Sequence, residues 1–166
     1  MTAPMQTALL WLLGIATVAL LLQVQRLLAP LHPHYLRLQF SPSREAFQRI
    51  VSAWGPEGVN RYQAHFRWSF AMLACCAAFG YLLATGPWFS AGLTPVADRA
   101  LAALLPFAAL YGAAENIIHQ CIIRGTRQHP EALFPVVTVV SLLKWLLLVS
   151  FAAAIAARAS GLLPGT

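Results

Sequence analysis

The sequence predicts an all-α protein, a four-transmembrane-helix bundle with a short amphipathic interfacial helix between helices 1 and 2. Three observations carry that prediction. Hydrophobic residues make up 59% of the 166 positions and charged residues only 10%, far from the balance of an ordinary soluble domain. Apolar runs of about 20 residues, the length that crosses a hydrocarbon core, recur four times. Between the first two, a shorter stretch from Ser43 to Trp54 repeats its apolar residues at helical spacing and carries arginines on the other side. The length leaves no room for a separate soluble domain, so residues 1–166 read as a single integral membrane domain.

The first span is predicted over residues 8–25. It has no charge before Arg26, and the absence of a basic n-region and of an A-x-A-like site makes it an uncleaved helix rather than a signal peptide. Pro30 and Pro33 end regular helix and open a loop in which His32 and His34, at i and i+2, do not share a helical face. From Ser43, a cap candidate, the residues Phe47, Ile50, Val51 and Trp54 fall at i, i+3, i+4 and i+7, with Arg44 and Arg49 opposite. This helix, over residues 43–54, is too short to span. It lies in the interface or caps the mouth of the bundle. Gly55-Pro56-Glu57-Gly58 reads as a turn, and Asn60 starts the helix that carries Tyr62, His65, Arg67 and Trp68 into the second span.

That span, over 66–83, presents Ala71, Ala74, Cys75 and Ala78 as a small-residue stripe for close helix packing. Gly86 to Gly92 is a turn with Trp88 and Phe89 expected at the interfacial level. The third span covers 101–123 with Pro106 in its first third, and the fourth covers 134–157. Arg26, Arg37, Arg44, Arg49 and Arg61, with Arg67 at the start of the second span, lie on the side of the segment between spans one and two, and Arg124 and Arg127 follow the third, against Arg99 and Arg158 on the other side. The bias of basic residues toward the cytoplasm then predicts an inner-membrane protein with both termini outside the cytoplasm.

The net charge of +6 is spread as single arginines near helix ends, without a basic run or an aromatic platform, so nucleic acid is not an expected partner. Cys75, Cys76 and Cys121 form no CxxC and no Cys/His pair at metal-ligand spacing, so no metal is expected. Neither a GxGxxG nor a P-loop occurs, and no cofactor is expected. The expected partners are membrane lipids, a hydrophobic small molecule, or a membrane-protein partner including a second copy of the chain.

The third span holds the chemistry. Tyr111, Glu115 and His119 follow at i, i+4 and i+8, with Asn116 beside them, in an otherwise apolar helix. An ionisable side chain at membrane depth is expensive and points to function or assembly. In the fourth span Thr138, Ser141, Lys144 and Trp145 recur at helical spacing, and Lys144 is the only lysine in the chain. With a rise of about 1.5 Å per residue, Glu115 and Lys144 fall at nearly the same depth on helices joined by a short turn, so an ion pair accommodates both.

Three readings of this cluster stay open. Glu115, Asn116 and Lys144 fix helix pairing while His119 reaches the headgroup level. Alternatively Glu115 and His119 are an acid/base pair acting on a lipid, sterol or isoprenoid-like substrate, with Tyr111, Asn116, Lys144, His65 and Trp68 lining its site. In the third reading the polar face receives a partner protein or a small hydrophobic ligand without chemistry.

Ser41-Pro42, Phe47, Ile50, Trp54 to Gly58, Tyr62, Glu115-Asn116 and Lys144-Trp145 together resemble a loose group of uncharacterised small bacterial four-helix membrane proteins. Members of that group carry an aspartate before the Glu-Asn pair and another early in helix 2, where this chain has Gly112 and Ser69. Chemistry resting on those aspartates is not carried over, and no function comes with the resemblance. The layout of four helices with a long amphipathic connection after the first also looks like the EXPERA membrane proteins, which implies a hydrophobic ligand in the bundle.

Overall fold

The computed structural model describes residues 3–86, 89, 94–125 and 130–161. Five helices follow in order: α1 (Ala3–Leu28), α2 (Leu36–Gln39), α3 (Arg44–Ala84), α4 (Pro95–Arg124) and α5 (Leu133–Ala159), with no strand among the described residues. All but α2 are long and apolar enough to cross a membrane. The packing runs in a chain, α1 on α3, α3 on α4 and α4 on α5.

In α1 only Val24 and Leu28 are buried, while Trp11, Leu12, Ile15, Val18 and Leu22 stand exposed. A helix apolar on every side yet packed on one is suited to hydrocarbon surroundings rather than water. Its observed ends lie beyond the expected 8–25, because the flanking Pro4 to Thr7 and Arg26 to Leu28 continue the helix without a breaker.

Helix α3 joins two limbs at Gly55, whose φ of 64° and ψ of −177° interrupt the helical backbone. The expected four-residue turn is therefore a one-residue joint. Proline is well placed at the first position of a helix, where its missing N–H is not needed, so Pro56 restarts the helix at once. Ser43 caps the first limb, its side chain accepting from the Ala46 N–H. Phe47, Ile50 and Trp54 of that limb are buried with Leu28, Leu31, Leu38, Tyr62, Phe66, Ile122 and Phe134. The limb thus closes one end of the bundle, which is the capping arrangement rather than a free interfacial helix. Trp54 Nε1 pins it to the loop by donating to the Pro33 carbonyl at 2.7 Å.

No other heavy atom lies within 4 Å of a Cβ built on Gly55. A side chain there meets backbone strain alone, in a region that is essentially glycine-only. Gly55→Ala is expected to lower stability by about 1–3 kcal/mol, or to swing the first limb off the bundle end. Increased protease cleavage between residues 44 and 56 would report the swing, and an unchanged melting temperature with unchanged cleavage would contradict this account.

Two features of the second limb differ from expectation. Ala71, Ala74 and Ala78 are exposed and Cys75 is half-buried, so that stripe is not the packing surface. The buried face runs through Tyr62, His65, Phe66, Ser69, Gly80 and Ala84. Gly80 lets α4 approach so closely that a Cβ there would stand 2.5 Å from the Leu105 Cβ. Beyond α3, Phe89 is fully buried and stacks on Phe151 with ring centroids 6.1 Å apart, rather than standing at an interface. It belongs to a second apolar cluster with Ala84, Ala102, Leu105 and Ala108. Trp88 and Arg127 lie outside the described residues.

Candidate functional site

Between the two apolar clusters the buried faces of α3, α4 and α5 turn polar. Glu115 is 2% exposed and Lys144 8%, and Lys144 Nζ donates to Glu115 Oε2 at 2.7 Å, the pair expected from their matched depths. Ser141, one helical turn before Lys144, brings its hydroxyl within 2.7 Å of the same oxygen and 2.9 Å of the Val137 carbonyl. Oε1 receives no hydrogen bond from the described residues. Two charges at this depth are tolerable only because each meets its opposite in contact, since an unpaired buried charge costs several kcal/mol. Gly112 leaves room for the lysine stem, a Cβ there standing 3.5 Å from Lys144 Cδ and 2.8 Å from a methyl of Leu73.

Across the α3/α4 seam Asn116 Nδ2 donates to Ser69 Oγ at 2.8 Å, with both residues buried. Ser69 keeps its own hydroxyl proton to donate elsewhere. One and two turns nearer the Gly55 joint, His65 and Tyr62 continue this polar edge. His65 Nδ1 bonds the Tyr62 carbonyl, which can only accept, so the ring proton sits on Nδ1 and Nε2 of the neutral ring is an acceptor. The Tyr62 hydroxyl and His119 Nδ1 lie 2.9 Å apart.

His119 is fully buried, its ring 5.8 Å from that of Phe47 in the first limb of α3. The expectation that it reaches the headgroup level fails because that limb folds over it. Its Nε2 has no hydrogen-bond partner among the described residues. Glu115 and His119 share a helix face but no hydrogen bond, each being committed to a different neighbour.

A cavity of about 190 Å³ adjoins this polar layer, lined by α1, α3, α4 and α5 together with Tyr35 and Gln39 at α2. Of the expected site residues Glu115, Asn116, Lys144 and His65 line it, whereas His119, Tyr111 and Trp68 do not. Tyr111 is half-buried on the flank of α4. Trp68 packs against the cluster at the Gly55 end, with the Arg67 guanidinium 5.2 Å from its ring centroid. The geometry of α4 explains Tyr111: at about 100° per residue it stands about 40° to one side of Glu115, while Gly112, His119 and Ala108 stand on the other, which is the side that packs.

The lining mixes polar residues, Gln25, Tyr35, Gln39, Ser69 and Asn116, with apolar ones, Val24 and Leu28 beside Gln25 as well as Leu21, Leu73, Cys76, Ala108 and Leu148. Side chains close the α2 end: Gln25 Nε2 donates to the Tyr35 hydroxyl at 2.9 Å, and Trp145 Nε1 to Gln39 Oε1 at 3.0 Å. Comparison with known family models, with curated proteins and with solved structures finds no match to the chain. The chemistry of the site therefore rests on its own residues.

Ser69, Tyr62 and Gly112, like Gln25, Tyr35 and Gln39, are contributors that the sequence did not single out as site residues. Tyr62, His65 and Ser69 recur at i, i+3 and i+7, so a polar stripe entering an apolar span was the signal available for two of them.

Proposed function

We propose that this chain is a multi-pass membrane protein that binds a hydrophobic small molecule by its polar end, in the cavity between the Glu115/Lys144 pair and the Ser69/Asn116 pair. The observation that carries the reading is the cavity itself. A void beside buried polar groups forfeits contacts unless something occupies it, so open volume at this layer points to an occupant. Here the carboxylate, the amide and an imidazole all border open volume whose lining is otherwise largely apolar. The same pairs also hold α3, α4 and α5 in register, so scaffold and site share residues.

The placement of basic residues supports an inner-membrane protein with the α2 end in the cytoplasm and both termini outside. An acid/base enzyme acting on such a ligand is the second reading, favoured by one observation. His65 lines the cavity with Nδ1 held by a carbonyl, which leaves Nε2 as the available base. In that case His65 replaces the Glu115/His119 pair, because the Glu115 carboxylate is already engaged by Lys144.

Native mass spectrometry of protein extracted gently from its own membranes tests the binding reading. A small amphiphile is expected to stay bound to the unmodified chain and to be absent from Ala109→Leu, which places a larger side chain on the cavity wall. A bare chain from both would remove ligand binding and leave the polar layer as a packing device.

A further inference from the structure

The shape and charge of the cavity say more about the molecule it takes, on the reading that it binds one. Its volume of about 190 Å³ is below the roughly 300–1,000 Å³ of sites that enclose a whole drug-sized ligand. One end of a molecule fits and the rest must lie outside. The way out is sideways. Leu21 of α1 and Trp145 and Leu148 of α5 line the same cavity, yet α1 packs on α3 and α5 on α4. Leu21 and Trp145 are 42% and 38% exposed, so the cavity wall reaches the outer, apolar surface of the bundle on both α1 and α5. At the α2 end the Trp145 indole donates to Gln39 across the cavity wall.

The head is constrained by charge. Glu115 and Lys144 cancel each other, and among the described residues no other carboxylate, lysine or arginine lines the cavity. A charged head would enter low dielectric without a countercharge, or would have to break the pair. Hydrogen bonding narrows the head further. Among the described residues no donor reaches Oε1 of Glu115 or Nε2 of His65, both acceptors, and the Ser69 hydroxyl is a donor. A carbonyl head can only accept, whereas a hydroxyl donates to the carboxylate and accepts from the serine at once.

We propose that the cavity takes the hydroxyl end of an uncharged, long-chain alcohol that enters laterally between α1 and α5, with its chain passing Leu21 and Leu148.

Photolabelling of the full chain in phosphatidylcholine nanodiscs tests this with three probes that share one alkyl chain and one diazirine and end in a hydroxyl, a carboxylate or an ammonium group. The hydroxyl probe is expected to label α1 and α5 around Leu21 and Leu148, and excess unlabelled long-chain alcohol should suppress that labelling. The charged probes should label there about tenfold less or weaker still, the factor for an uncompensated penalty of about 1.4 kcal/mol. Ser69→Ala, close in size, should weaken the hydroxyl probe alone. If a charged probe labels these positions as well as the hydroxyl probe and is competed by its own unlabelled form, the head assignment is overturned while ligand binding stands. If competable labelling falls instead on the α2 end, lateral entry is overturned. If no probe gives competable labelling at the cavity, the binding reading fails and this inference with it.

Discussion

Lys144→Met is expected to destabilise the protein by about 3–5 kcal/mol, the range for removing one partner of a buried ion pair. The methionine nearly matches the lysine in length, so little packing is lost. What remains is a carboxylate 2% exposed with a serine hydroxyl as its only hydrogen-bond donor among the described residues. Glu115→Gln leaves the converse problem, an ammonium facing an amide. In Glu115→Gln/Lys144→Met neither charge is left, and Ser141 can still donate to the glutamine carbonyl. The double variant should therefore lose less than the sum of the singles, with a coupling of about 0.5–3 kcal/mol. Thermal or denaturant unfolding in mild detergent reads all four corners of this cycle. Additive losses would mean that the two side chains do not interact in the folded protein.

Gly80→Leu is expected to exceed the roughly 1–3 kcal/mol typical of an overpacked core and to prevent α3 and α4 from seating. A Cβ on Gly80 would lie 2.4, 2.5 and 2.7 Å from Leu105 Cδ1, Cβ and Cγ. The Leu105 Cβ is fixed to the α4 backbone, so no rotamer change relieves that contact. Gly80→Ala imposes a milder form of the same clash. Adding Leu105→Ala to Gly80→Ala should restore part of the loss, although Leu105→Ala alone costs about 2–5 kcal/mol as a cavity. The reading is by melting temperature of purified protein. A Gly80→Ala variant as stable as the parent would show that the two helices do not meet at this point.

The helices were legible because each long apolar run is uninterrupted over the length of a span. The Glu115 and Lys144 pair was legible because both are charges that the same depth brings together. The phase of α3 was not. Ala71, Ala74, Cys75 and Ala78 form as good a small-residue stripe as Ser69, Cys76, Gly80 and Ala84. The choice between them is made by Asn116 and Leu105 on the facing helix, which no pattern within α3 contains. The burial of His119 was likewise hidden, since it follows from the first limb of α3 bringing Phe47 over the end of α4. The amphipathic period showed that the limb has an apolar face, but not what that face covers. Tyr111 shows the limit of i, i+4, i+8 reasoning: over eight residues such a stripe drifts by about 80°, enough to turn one end out of the core.

The location of the two charges also bears on how the protein is built into a bilayer. On the membrane reading, α4 alone would carry an unneutralised carboxylate and α5 alone an unneutralised ammonium, at about 2.5–3.5 kcal/mol each on insertion scales. Only eight residues separate Arg124 from Leu133. The two segments can leave the insertion machinery together as a helical hairpin, each shielding the other from the lipid. Synthesis of α5 would then be the event that commits α4 to the membrane, and a ribosome halted before Lys144 would leave α4 only loosely held.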